Sequence, residues 1–181
     1  MEKKNRFLDF KMKGVIYLIS ILFISFIPED IRAFNINPLH KKGYYGNVSI
    51  SAGAGLDRTV SCNLLTSHGC SFGNGFYCGF GTGLQYNADK ITLPIFADVR
   101  YSILDKLVSP FVAVRAGGVH SFKDKGMSSY LSPYFGIDLG RVSLTISWEC
   151  ITGKRIKANP SYIYESKISH QAFLVGVSYS F

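Results

Sequence analysis

The chain has 181 residues and a net charge of +8; 18% are charged, and it holds 18 Gly, 14 Phe and 11 Tyr. That length allows one domain, and Gly with aromatics among few charges suits β-structure better than helix. The basic excess falls in loops, for example at Lys154, Arg155 and Lys157, without the stripe on one element that a nucleic-acid binder shows.

At the N-terminus Lys3, Lys4, Arg6, Lys11 and Lys13 precede an apolar run from Val15 to Ile27, which Pro28 ends. The run is shorter than the ~20 residues that a membrane-spanning helix needs. It reads as the core of a secretory signal. Cleavage is placed after Ala33, giving a signal segment 1–33, an N-terminal segment 34–43 and a folded domain 44–181.

Eight strands are expected from there on. They cover Tyr44–Leu56, Thr59–Phe72, Phe76–Tyr86, Ile91–Ile103, Pro110–His120, Tyr130–Leu139, Val142–Ile151 and Ser169–Phe181. Most exceed the usual strand of about 5–6 residues and approach the ~9–11 needed to cross a bilayer at a tilt. Alternation is the main signal. Val48, Ile50, Ala52, Ala54 and Leu56 share one face of the first strand, with Asn47, Ser49, Ser51, Gly53 and Gly55 on the other. In the seventh, Val142, Leu144, Ile146 and Trp148 oppose Ser143, Thr145, Ser147 and Glu149. The last strand alternates to its end at Phe181.

Residue size sets the sense of this alternation. The lumen of an eight-stranded barrel is cramped, and the polar face carries the glycines and serines. The apolar face carries Phe, Leu, Ile, Tyr and Trp, which suit a lipid surround. Asp98, Arg100, Arg115, Asp138 and Glu149 all share the parity of the polar face, so an interior polar network is expected from them, because buried charges need partners. The joins at Gly73-Asn74-Gly75, Leu104 to Ser109 and Gly140-Arg141 read as tight turns. Residues 121–129 and 152–168 read as longer loops. Short turns on one side and longer loops on the other match bacterial outer-membrane barrels. The fold class is therefore an all-β, eight-stranded, antiparallel up-and-down transmembrane barrel behind an N-terminal signal.

Several segments resemble the small outer membrane protein β-barrel domain family, the OmpA/OmpX-like eight-stranded barrels, over about residues 43–181. They are Thr66-Ser67-His68-Gly69, Leu93-Pro94-Ile95-Phe96-Ala97-Asp98-Val99-Arg100-Tyr101, Ser109-Pro110-Phe111-Val112, Leu131-Ser132-Pro133-Tyr134-Phe135-Gly136 and the terminal aromatic strand. The resemblance implies outer-membrane lipid and lipopolysaccharide as surroundings. It also implies insertion by the barrel-assembly machinery, whose C-terminal signal would be Phe173, Val175, Val177, Tyr179 and Phe181. It transfers no catalytic residue.

Export places Cys62, Cys70, Cys78 and Cys150 in an oxidising compartment. Cys70 and Cys78 are symmetric about Asn74, so a three-residue turn would oppose them, and a Cys70–Cys78 disulfide is expected if they form a non-hydrogen-bonded pair. His120 is expected at a strand end near headgroups, and His68 to turn inward at a β-bulge after Leu65. No Cys-x-x-Cys or His pair suggests a metal, and no cofactor is expected. The functional expectation is a structural or surface-interaction barrel, not an enzyme, with an unidentified extracellular partner for Lys154, Arg155, Lys157, Tyr162 and Tyr164. An outer-membrane lipid hydrolase or transferase would have to draw on Ser67-His68 or Ser169-His170 with Glu149 or Glu165. Adjacent strand residues face opposite ways, so neither Ser-His pair serves alone. A soluble calycin-like carrier of small apolar ligands would need the reverse alternation. Eight strands leave no wide pore.

Overall fold

A computed structural model of the protein describes residues 37–57, 59–87, 90–122, 127–159 and 162–181, and for 154–168 gives backbone pairing only. The expected signal segment 1–33 lies outside the described residues, as do the side chains of Lys154, Arg155, Lys157, Tyr162, Tyr164 and Glu165.

The alternating segments form β1 (Lys42–Gly55), β2 (Val60–Phe72), β3 (Phe76–Asn87), β4 (Lys90–Ser102), β5 (Val108–Ser121), β6 (Met127–Leu139), β7 (Val142–Asn159) and β8 (Tyr162–Ser180). They close into one barrel in sequence order. Each strand pairs antiparallel with the next, and β8 returns to β1. Closure leaves no sheet edge, which is the condition for β-structure in lipid, where no water meets an unpaired amide. Both ends of the strand series lie at one end of the barrel, with the β2–β3, β4–β5 and β6–β7 turns; this is called the terminal end below. In the first of these turns Gly73 and Gly75 both take φ of 82°, a conformation that glycine adopts without steric cost.

The long segment after β7 differs from expectation. Residues 152–168 were expected to be a loop; instead β7 and β8 stay paired as far as Asn159 and Tyr162. The apolar/polar alternation fades beyond Ile151, so the sequence pattern does not report the ladder, yet backbone pairing needs no apolar face to continue. The β7–β8 hairpin therefore extends the end opposite the termini, called the hairpin end below.

The two faces of the wall have opposite chemistry. Outward side chains include Phe80 (74% exposed), Val175 (66%), Ile95 (55%) and Ile146 (45%). Asp98, Arg100, Arg115, Asp138 and Glu149 point inward and are buried. This is the reverse of a soluble carrier. The lumen is more aromatic than its glycines and serines suggested: Tyr45, Tyr77, Phe96, Phe111, Tyr130 and Tyr134 are buried inside. They fit because glycines face them. A Cβ on Gly81 would strike the Phe96 ring, and one on Gly136 would come within 2.9 Å of Phe111 Cζ.

The terminal end is closed by the chain itself. A 3-10 turn at Pro38–His40, capped by Asn37 Oδ1 accepting from the Leu39 amide at 3.0 Å, sits against the lumen. Leu39 packs with Tyr45 and Tyr77, and its carbonyl accepts from Ser71 Oγ at 2.6 Å and from the Gly75 amide at 3.2 Å.

Ile95 lies mid-strand on the outer face. Ile95→Arg is expected to destabilise the folded barrel by about 2–4 kcal/mol in bilayers, as a charge at the lipid midplane does. Urea titration in liposomes measures it; the lipid-facing assignment fails if Ile95→Arg is neutral.

Candidate functional site

The lumen holds the chemistry-bearing residues in three levels. Nearest the termini, Arg100 forms an ion pair with Asp138. Its guanidinium also donates to Ser143 Oγ at 3.2 Å and Tyr45 Oη at 3.3 Å, and lies 3.6 Å over the Phe111 ring. Asp138 accepts further from Ser143 Oγ at 2.6 Å and from Asn37 Nδ2 at 3.3 Å. The N-terminal turn is thus tied to the ion pair.

At the middle level, Asp98 and Arg115 face each other as register partners on β4 and β5. Arg115 Nε lies 3.6 Å from Asp98 Oδ2, and Tyr134 Oη donates to Asp98 Oδ1 at 2.8 Å. The Arg115 guanidinium stacks 4.2 Å from the Tyr134 centroid. Cations over ring faces gain electrostatically where water is excluded.

At the hairpin-end level, Glu149 has no exposed surface. Its carboxylate accepts from Asn63 Nδ2 at 2.7 Å, Gln85 Nε2 at 2.8 Å and Asn87 Nδ2 at 3.2 Å. The five ionised residues therefore form two ion pairs and one amide-bound carboxylate rather than a single network. Sequence parity identified the five, but not the amides or tyrosines that complete their coordination, because uncharged polar residues occupy both faces.

Above Glu149, at the hairpin-end mouth, Ser61 Oγ lies 3.2 Å from His170 Nε2. His170 Nδ1 lies 3.9 Å from Asp57 Oδ2. Neither Ser61 nor Asp57 stood out in the sequence. His170 meets a serine on another strand rather than its neighbour Ser169. His68, expected to turn inward, instead stays on the outer face, because β2 keeps an unbroken register against β1 and no bulge forms. Both its ring nitrogens find partners there: Tyr44 Oη at 2.6 Å and Thr66 Oγ1 at 3.0 Å. His120 is exposed near the end of β5, edge-on to Phe122.

Cys70 and Cys78 are register partners on the outer face, yet both are free thiols, so the expected disulfide is not formed. The carbonyls of His68 and Thr66 lie against Gly79 and Gly81, so the even residues of β2 hydrogen-bond toward β3. Cys70 and Cys78 are then a hydrogen-bonded pair, not the non-hydrogen-bonded pair on which the expected bridge depended. Phe173, Val175, Val177 and Tyr179 form the outer face of β8. Phe181 extends that ladder, exchanging both backbone hydrogen bonds with Gly46.

No family model and no curated protein matches the sequence. Solved structures do match in fold. The outer membrane enzyme PagL is 12% identical, with a TM-score of 0.57, over 74% of this chain and 98% of that one. A de novo designed transmembrane β-barrel is 14% identical, with a TM-score of 0.53, over 76% of this chain and 95% of that one. The chain has the fold of small eight-stranded transmembrane β-barrels.

Two outcomes follow from the buried groups. Arg115→Met leaves Asp98 without its cation, so it is expected to cost about 3–5 kcal/mol. Chemical denaturation of the detergent-folded protein checks this, and a smaller loss in Asp98→Asn/Arg115→Met would identify the stranded charge as the cause. For the thiols, non-reducing denaturation with an alkylating agent is expected to label Cys62, Cys70, Cys78 and Cys150 once each; a mass two hydrogens short, with Cys70 and Cys78 unlabelled, would show a bridge.

Proposed function

We propose that this protein is an integral barrel of a bacterial outer membrane, of the small OmpA/OmpX-like kind, with a structural or surface-interaction role. The observation that carries this reading is the inverted wall around a filled lumen. Apolar side chains face outward along every strand, while ion pairs, amides and aromatic rings occupy the interior. The N-terminal turn packs into the terminal end. Such an interior fills the cylinder with side chains, so the parts left to meet other molecules are the outer face and the hairpin end.

The β7–β8 extension beyond the rest of the wall supports an orientation. With the termini and short turns toward the periplasm, the β7–β8 hairpin stands outside the cell. Outer-membrane lipid and lipopolysaccharide are then the surroundings of the outer face and the hairpin. The barrel-assembly machinery would read the β8 outer face ending at Phe181. An extracellular partner, if one exists, meets the hairpin. No nucleic-acid role is supported.

Fractionation tests the address. The protein is expected in the outer-membrane fraction, with faster gel mobility unheated than boiled; recovery in the soluble periplasm would overturn the reading. In planar bilayers the folded protein is expected to give no stepwise conductance. Steady channel openings would overturn the filled-lumen assignment.

A further inference from the structure

The hairpin-end mouth brings His170 against Asp57 and Ser61, which precede it by more than a hundred residues. The inward positions of β1 here are Gly53 and Gly55, so β1 contributes no side chain to the lumen. Ser61 on β2 pairs with Gly53, and Gly53 pairs with Leu174 on β8. Side chains from β2 and β8 therefore meet across a bare strand. A Cβ on Gly55 would come within 3.0 Å of His170 Cε1 and 2.7 Å of Thr59 Oγ1, so the approach needs glycine.

The atoms meet in a definite order. Ser61 Oγ faces His170 Nε2 at 3.2 Å, and His170 Nδ1 faces Asp57 Oδ2 at 3.9 Å. In such a series the imidazole takes the hydroxyl proton on one nitrogen, while Asp57, beyond hydrogen-bond distance in this structure, favours the resulting imidazolium by its charge. Asp57 is itself held, with Thr59 Oγ1 donating to its Oδ1 at 2.6 Å and the Thr59 amide at 3.4 Å. The Thr59 hydroxyl, foremost among these contacts, keeps the Asp57 carboxyl below its usual range, so it stays ionised at neutral pH. Asn87 is the register partner of Ser61. It is buried, and its Oδ1 has no partner. Its amide donates to Glu149 at 3.2 Å.

We propose that Ser61, His170 and Asp57 form a serine-nucleophile site for short acyl esters at the hairpin-end mouth. This goes beyond the structural reading and uses the same barrel. Ser61 Oγ attacks the ester carbonyl carbon and its proton passes to His170 Nε2. The carbonyl oxygen takes the negative charge of the tetrahedral adduct. Collapse breaks the bond to the leaving oxygen, and the alcohol departs with the proton from His170. Water, deprotonated by His170, then attacks the acyl-Ser61 carbonyl, and the acid leaves as Ser61 regains its proton. Asp57 acts as a positioning residue through the imidazole. Ser61 is fully enclosed, while the His170 side chain is 12% exposed; the ester enters beside the imidazole, which restricts the acyl group to a short one.

The test uses the full-length protein folded in detergent micelles and a small alkyl fluorophosphonate, which forms an oxygen–phosphorus bond to Ser61 as fluoride leaves. Peptide mass spectrometry is expected to place the adduct on Ser61. His170→Ala should slow labelling by about 100-fold or more. Asp57→Asn should lower the maximal labelling rate and leave the half-saturating probe concentration unchanged. Ser178→Ala, which removes a buried hydroxyl elsewhere, should label at the parent rate. Hydrolysis of p-nitrophenyl acetate should fall to the uncatalysed rate in Ser61→Ala. Each variant is compared only after its unheated gel mobility shows a folded barrel. A folded parent without an adduct on Ser61, or His170→Ala labelled at the parent rate, overturns the proposal. That result leaves the membrane-barrel reading standing, since fractionation tests it separately.

Discussion

The structure depends on one constraint: a cylinder whose outside is oily must satisfy every polar group inside or within its own wall. In lipid an unpaired backbone amide has no water to turn to, so the ladder closes from β8 to β1 and no edge remains. The same exclusion acts on side chains. Asp98, Arg100, Arg115, Asp138 and Glu149 are confined to the lumen, where each must find a partner or carry the cost of desolvation.

The lumen partners its charged groups by layers. Two levels use opposite charges backed by aromatic faces, as at Arg100 over Phe111 and Arg115 over Tyr134. The third uses three carboxamides around Glu149. The amides supply donors without a compensating cation, whereas the other two levels each hold an ion pair. The N-terminal turn extends the same logic, since Asn37 binds both Ser102 and Asp138 and so satisfies groups that a plain strand end would leave open.

Glycine has two structural uses here. In the lumen it makes room for rings, as Gly81 does for Phe96. At the mouth it strips β1 of side chains, so that β2 and β8 reach each other across it. The second use is what allows Ser61 and His170 to meet. A pattern of small residues read only as packing hides it.

Sequence alone determined the strand number, the antiparallel order, the sense of the alternation and the parity of the five charged residues, because a period of two is a local property that side-chain size orients. It missed the continuation of β7 and β8, where pairing persists without an apolar face, and the aromatic share of the lumen, which depends on glycines of the neighbouring strands. The free Cys70 and Cys78 and the outward His68 were decided by which carbonyls of β2 point to β3 and by an unbroken register. Only closure of the barrel brought His170 to Asp57 and Ser61, since contacts across the β1–β8 seam depend on a ring that no local pattern encodes.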